Sequence, residues 1–296
     1  MDKKVALQIR NSEPIEEMAK MMSECGFKYV AVAFGDEKPL LSDNWKDHVT
    51  EIDNTLKKYG LKCIQTHAPY YNLMLSAEIR EEDMEKALLR SIEATKMLGA
   101  DLCAVHPRTC INKDVDITKA EDRERSLKEN IISFTPLVKA CEELGVCLGI
   151  ENLMKYPLAN DLPSFYSWIA EDHAELIDKL NSKNCVGIWD FGHANLADEI
   201  NQTDSIRTLG ARIKGTHVHN NGAVDDEHFP PFLPPKGAYY ARRTVDWNSV
   251  LTALRETGYD GYLTLETVFY FDYPLKPFIQ YLYDSVCNLY DILKAE

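Results

Sequence analysis

A chain of 296 residues is too long for the smallest folds and near the upper limit for one hydrophobic core, so one large α/β barrel or two ordinary domains would fit. Hydrophobic residues make up 45% and charged residues 27%, the balance of a soluble globular protein. With 33 basic against 47 acidic side chains, the net charge of −14 repels a polyanion such as DNA and argues against a nucleic-acid partner.

The opening Met1-Asp-Lys-Lys runs straight into an apolar segment without a cleavable signal pattern. No apolar run approaches the roughly 20 residues that span a bilayer, so no membrane partner is expected. The eight cysteines contain no Cys-x-x-Cys pair, and Cys63, Cys103, Cys147 and Cys185 fall in predicted strands as small buried thiols. Reduced cysteines in a cytoplasmic protein are the expectation.

Lys4–Arg10 reads as a first strand, with Ser12 able to cap the next helix and Pro14 early in it, up to Cys25-Gly26. A second strand, 27–34, is aromatic and β-branched. A helix from about Trp45 to Tyr59 stops at Gly60, and Leu61–His67 is the third strand. The helix from about Glu81 to Leu98 leads through Gly99 to the strand Ala100–Val105 and then His106-Pro107. The next helix, about Glu121 to Leu144, carries Pro136, which predicts a kink or break near its middle.

Val146–Ile150 then leads into Glu151-Asn152. A loop with Pro157 and Pro163 precedes a helix over Phe165–Leu180, and the strand starting at Val186 runs into Asp190-Phe-Gly-His193. A short helix around Ser205–Arg212 leads to a seventh strand ending His217-Val-His219. The proline-rich stretch from about Gly222 to Thr244 is long for a structureless connection and reads as an active-site loop. A helix opening at Val245-Asp-Trp247, a strand over Gly261–Glu266 and a helix near Pro277–Leu293 complete the chain.

Eight strands alternating with helices, with no compositional boundary, predict a parallel sheet closed as a (β/α)₈ TIM barrel, one domain over 1–296. A doubly wound open sheet is the alternative, but no glycine-rich phosphate fingerprint follows the first strand. In a barrel, reactive groups gather at the carboxyl ends of the strands. Here strands three to eight end in His67, His106, Glu151, Asp190 with His193, His217 with His219, and Glu266. Singly, each histidine could be a satisfied hydrogen-bonding group and each glutamate an ion-pair partner. Six consecutive strand ends with metal-competent side chains point instead to a divalent ion. His217 and His219 share one side of a strand, so both cannot be equally close to one ion. Carboxylates with one imidazole suit Mn²⁺ first, with Co²⁺ or Mg²⁺ possible; a histidine-rich set would favour Zn²⁺.

The stretches Thr66-His-Ala-Pro-Tyr70, Val105-His-Pro107, Gly149-Ile-Glu-Asn152, Val186-Gly-Ile-Trp-Asp-Phe-Gly-His193, His217-Val-His-Asn-Asn221, Asp226-Glu-His228 and Gly258–Glu266 together resemble the xylose isomerase-like TIM barrel superfamily, in its sugar phosphate isomerase/epimerase branch. The resemblance implies a single-metal site on Glu151, Asp190, His219 and Glu266. It also implies that Glu151 and Glu266 act as base and acid: a proton leaves the carbon between two metal-held oxygens, an enediolate forms, and the proton returns. His193 matches a histidine on the sugar oxygens, and His67, His106, His217, Asp226 and His228 are expected to line the substrate with it. The implied partner is a small carbohydrate, and such barrels are often homo-oligomers.

Two positions depart from the D-tagatose 3-epimerase-like pattern: Pro157 replaces an acidic residue and Asp225 an arginine, which argues against a free ketohexose substrate. Lys236, Arg242 and Arg243 could meet a phosphate or carboxylate, or be ordinary surface charges. Two other activities share the scaffold. One is lyase chemistry on a related polyol or keto compound. The other is endonuclease IV-like hydrolysis on three zinc ions, for which His67, His106, Glu151, Asp190, His193, His219, Asp226, His228 and Glu266 offer a ligand set.

Overall fold

A computed structural model describes residues 2–70, 81–108, 116–155, 166–235, 237–269 and 274–295. The chain alternates strand and helix. β1 (Val5–Arg10), α1 (Ile15–Cys25) and β2 (Tyr29–Ala33) come first, then α2 (Lys38–Leu41), α3 (Trp45–Lys58) and β3 (Lys62–His67). α4 (Glu81–Met97), β4 (Leu102–Val105), α5 (Ala120–Leu144) and β5 (Cys147–Glu151) follow. The second half holds α6 (Ala170–Leu180), β6 (Cys185–Asp190), α7 (Phe191–Asn195), α8 (Gln202–Leu209) and β7 (Ile213–Val218), then α9 (Trp247–Glu256), β8 (Leu263–Leu265) and α10 (Leu275–Lys294).

The eight strands pair in parallel in chain order and close on themselves, β8 returning to β1 through Val5↔Leu263, Ala6↔Thr264 and Leu7↔Leu265. The predicted (β/α)₈ barrel is therefore the observed fold. Two apolar layers hold it. Alternate strand residues such as Leu7, Ile9, Val30, Val32 and Leu265 pack outward against Met18, Met22, Leu254, Leu282 and Val286 of the helices. Inside the barrel, Leu102, Ala104, Val186 and Ile188 form a small plug. Gly149 and Gly215 make room for it: a Cβ at Gly149 would lie 2.6 Å from Ile188 Cδ1, and one at Gly215 2.7 Å from Leu102 Cδ2. The plug fills the lower barrel and leaves polar side chains in the upper layers.

Several local expectations change. Ser12 does not cap α1; Pro14 precedes its first residue and no side chain caps it. α5 runs unbroken through Pro136. α6 starts at Ala170, and Phe165, Pro157 and Pro163 lie outside the described residues, as do Cys110 and Lys236. The short helices α2 and α7 were not foreseen, although Asp190 caps α7 by accepting from the His193 N–H. Among the described residues, the segment 222–244 carries no helix. The seven described cysteines are all unpaired, and no helix among the described residues is long and apolar enough to cross a membrane.

Candidate active site at the carboxyl end of the barrel

Inward-facing ends of β5, β6, β7 and β8 bring Glu151, Asp190, His217 and Glu266 together, each offering a ligand atom within 4.8 Å of the others. All four are at most 6% exposed. His217 Nδ1 lies 3.0 Å from Glu151 Oε1 and 2.9 Å from Glu266 Oε2. None of these three atoms has a hydrogen-bond partner, although all are buried. Buried polar atoms left unpaired around one point are costly, and a shared cation satisfies them.

His219, expected as the imidazole of the carboxylate set, stands one step outward. Its Nε2 is 3.1 Å from Asp190, its ring stacks on His228 at 3.9 Å, and Nδ1 is unpaired. It joins His193, Asp226 and His228 in a second group within 4.8 Å. Asp190 is the edge between the groups. The backbone of Gly192 lies flat against the His219 ring, where a Cβ would come within 2.0 Å of Cε1.

Proton placement in the histidines is set by backbone carbonyls. Nδ1 donates to Ala68 O in His67 (2.7 Å), to Asn152 O in His193 (2.9 Å) and to Glu266 O in His228 (2.9 Å). Each ring turns its Nε2 toward a carboxylate: His67 toward Glu151 Oε2 at 3.0 Å, His228 and His193 toward Asp226 Oδ2 at 3.0 and 3.4 Å. Lone pairs facing at such distances require a proton or a metal ion between them. His106 Nε2 completes the surround of Glu151 at 3.3 Å. The donor set, carboxylates with anchored imidazoles, fits a divalent cation.

Burial alone would push the Glu151 and Glu266 carboxyls up, but neighbouring imidazoles, His217 foremost, outweigh it and hold both well below the usual range. Burial disfavours the charged form of His217, yet Glu151 and Glu266 raise it well above an ordinary histidine. For His228 burial is again outweighed, by Asp226, and its value rises to about 9. His106, where burial dominates, is lowered.

Three neutral side chains complete the site without having been singled out in the sequence. The neutral amide of Gln8 forms no part of a metal-ligand pattern, yet its Nε2 donates to Glu266 Oε1 at 2.7 Å and to the Tyr70 hydroxyl at 3.2 Å. Gln65 Nε2 lies 2.7 Å from His217 Nε2. Asn152 holds the backbone of Asp190. Gln8 and Gln65 share the two-residue strand spacing with Arg10 and His67, which was the available signal, whereas Asn152 directly follows Glu151 and carried none. Arg242 and Arg243 are engaged elsewhere: Arg242 Nε donates to Ala223 O at 2.7 Å, and both arginines pair with Asp198.

Residues 19–270 match the family model described as xylose isomerase-like TIM barrel. D-psicose 3-epimerase of Enterocloster bolteae is 25% identical over 228 residues, covering 75% of this chain and 66% of that protein. An uncharacterized protein of Methanocaldococcus jannaschii is 25% identical over 210 residues, 69% of this chain and 64% of the relative. The matches thus span less than two thirds of each relative's length. Among solved structures, a D-tagatose 3-epimerase-like protein superposes with a TM-score of 0.72 over 97% of both chains at 19% identity, a likeness of fold.

Proposed function

The chain belongs to the xylose isomerase-like TIM barrel family, and from that premise we propose that it is a divalent-metal-dependent isomerase or epimerase of a sugar or sugar phosphate. One observation carries the reading: two buried glutamates from opposite parts of the chain, Glu151 and Glu266, converge with Asp190 in one group and are both held ionised by imidazoles. The similarity to a D-psicose 3-epimerase supports it.

In this reading Glu151, Asp190 and Glu266 hold the ion with one imidazole, His219 as the sequence suggests or His217, which lies in their group; Mn²⁺ is preferred, with Co²⁺, Mg²⁺ or Zn²⁺ as alternatives. When bound, the ion supplies a positive charge that orients substrate oxygens and stabilises negative charge developing on them. One glutamate takes the proton from the substrate carbon, and the other returns it from the opposite face. Gln8 keeps Glu266 oriented from one side. His67 and His106 crowd Glu151 from another, so neither carboxylate swings away from the reacting carbon. His193, with His67, His106, His217, Asp226 and His228, faces the substrate. The unpaired cysteines support a reducing, cytoplasmic setting, and a homo-oligomer is the expected assembly.

Incubating the chain and Mn²⁺ in deuterated water with ketoses, their phosphates and cyclic polyols tests this. Deuterium entering a recovered ketose or its phosphate is the expected result; no exchange with any compound sinks the reading. One observation favours a second activity: the group His193, His219, Asp226 and His228 is histidine-rich, a donor set suited to Zn²⁺. That points to phosphodiester hydrolysis on several zinc ions, and metal analysis giving about three zinc ions per chain, not one Mn²⁺, would favour it.

A further inference from the structure

Two of the three cations singled out for an anionic substrate group, Arg242 and Arg243, are tied to Asp198 and backbone carbonyls. A different arginine faces the site. Arg10 is the last residue of β1 and stands two residues beyond Gln8, whose side chain points inward to Glu266. The two-residue repeat of a strand puts Arg10 on the same inward side, one layer nearer the mouth. It is half-buried. Among the described residues, no carboxylate lies within 4.0 Å of its guanidinium; Glu13 and Glu266 act on it from farther off, and Tyr70 lies beside it.

The Tyr70 hydroxyl accepts from Gln8 Nε2 at 3.2 Å. That bond uses an oxygen lone pair and not the hydroxyl proton, which can still donate. Burial, with Glu266 and Glu151 nearby, keeps that phenol protonated. Gly35 lets the pair lie together, since a Cβ there would be 3.0 Å from Tyr70 Cε2 and 3.9 Å from Arg10 Cδ. An arginine present only to balance Glu266 would pair with it directly, and this one does not. The mouth already carries Glu151, Asp190, Asp226 and Glu266, so an incoming anion needs a placed positive charge.

We propose that Arg10 and Tyr70 form the receptor for an anionic group on the substrate, a phosphate or a carboxylate, so that the substrate is a sugar phosphate or sugar acid. The guanidinium fork fits either group, and the phenol O–H adds a third donor. This assignment of substrate class rests on the sugar isomerase reading above.

The test is calorimetric titration of the full chain with inorganic phosphate and with D-gluconate, comparing the natural protein with Arg10→Met and Arg10→Lys. Arg10→Met should weaken binding of at least one anion roughly tenfold to a hundredfold, the worth of a hydrogen bond to a charged group. Arg10→Lys, which keeps the charge and loses the fork, should fall between. Weakening of phosphate alone assigns a phosphoryl group, of gluconate alone a carboxylate, and of both a general anion receptor. Equal affinities in all three proteins, or no binding of either anion to the natural protein, overturn the proposal. If Arg10→Met does not fold, Arg10→Lys decides by the same comparison. Deuterium exchange on the natural protein is scored separately: exchange without Arg10-dependent anion binding rejects only this inference, and the converse rejects only the isomerase reading.

Discussion

The side chain of Asn152 clasps the backbone of Asp190 at both ends: Oδ1 accepts the Asp190 N–H at 2.7 Å, and Nδ2 donates to the Asp190 carbonyl at 3.0 Å. Asp190 is thereby fixed relative to β5, whose last residue is Glu151. Asn152→Ala should leave two buried backbone groups unpaired and cost about 2 kcal/mol or more. Denaturant titration reads that loss. Stability within 0.5 kcal/mol of the natural protein, as for an ordinary surface change, would show the clasp to be dispensable.

Glu151→Gln and Glu266→Gln keep shape and remove the charge that takes or returns a proton. Each should lower solvent deuterium exchange by roughly a hundredfold to ten-thousandfold, the range of a general acid or base. Exchange rates measured by mass spectrometry check it. A variant that retains more than a tenth of the natural rate removes that glutamate from the proton path.

Gly192→Ala drives a methyl group into the His219 ring, where a Cβ would stand 2.0 Å from Cε1. His219 must leave Asp190, so turnover should fall, and overpacking should cost about 1–3 kcal/mol. Adding His219→Ala removes the clash, and the double variant should regain stability without regaining activity. Thermal melts of the three proteins decide this; an additive loss would contradict it.

His173, in α6, has no exposed surface, and its Nδ1 lies 2.6 Å from Ser167 Oγ. Burial lowers its value to about 4, against 6.5 for an ordinary histidine. The unfolded chain therefore binds the extra proton between those values, and stability falls as the pH drops from about 6.5 to 4. The slope from this group is about 1.4 kcal/mol per pH unit. His173→Gln should flatten that part of the stability–pH curve, measured by urea titration at several pH values.

A cation that satisfies the orphaned oxygens of Glu151 and Glu266 binds the folded chain in preference to the unfolded one. At a hundred times its dissociation constant, Mn²⁺ should add about 2.7 kcal/mol to stability. Calorimetric melting with Mn²⁺ and then excess chelator reads the shift. An unchanged melting temperature would argue against an ion at this position.

The barrel was legible because its signals are local and repeated: alternating apolar strands, glycine stops such as Gly26 and Gly145, and a polar residue at each strand end. The charged and imidazole residues of the site were legible for the same reason. Gln8, Gln65 and the clasp of Asn152 were not. Neutral amides carry no ligand spacing and no charge pattern, and their roles arise only when distant strands become neighbours. The relation of His217 to His219 was half readable: the spacing put both on one side, and only the bend after β7 set which glutamates or aspartates each would meet. Of the kink or break that Pro136 predicts, the break does not occur, because α5 continues through it despite the missing donor.

The hydrogen bond from Gln8 to Glu266 spans the seam that closes the barrel, where the first and eighth strands share three paired positions. A ring left ajar there would release the one amide that orients that carboxylate, so a partly assembled molecule is also an incompetent one. On the proposed reading, a proton-transfer assay would therefore report on closure of the ring as well as on the chemistry.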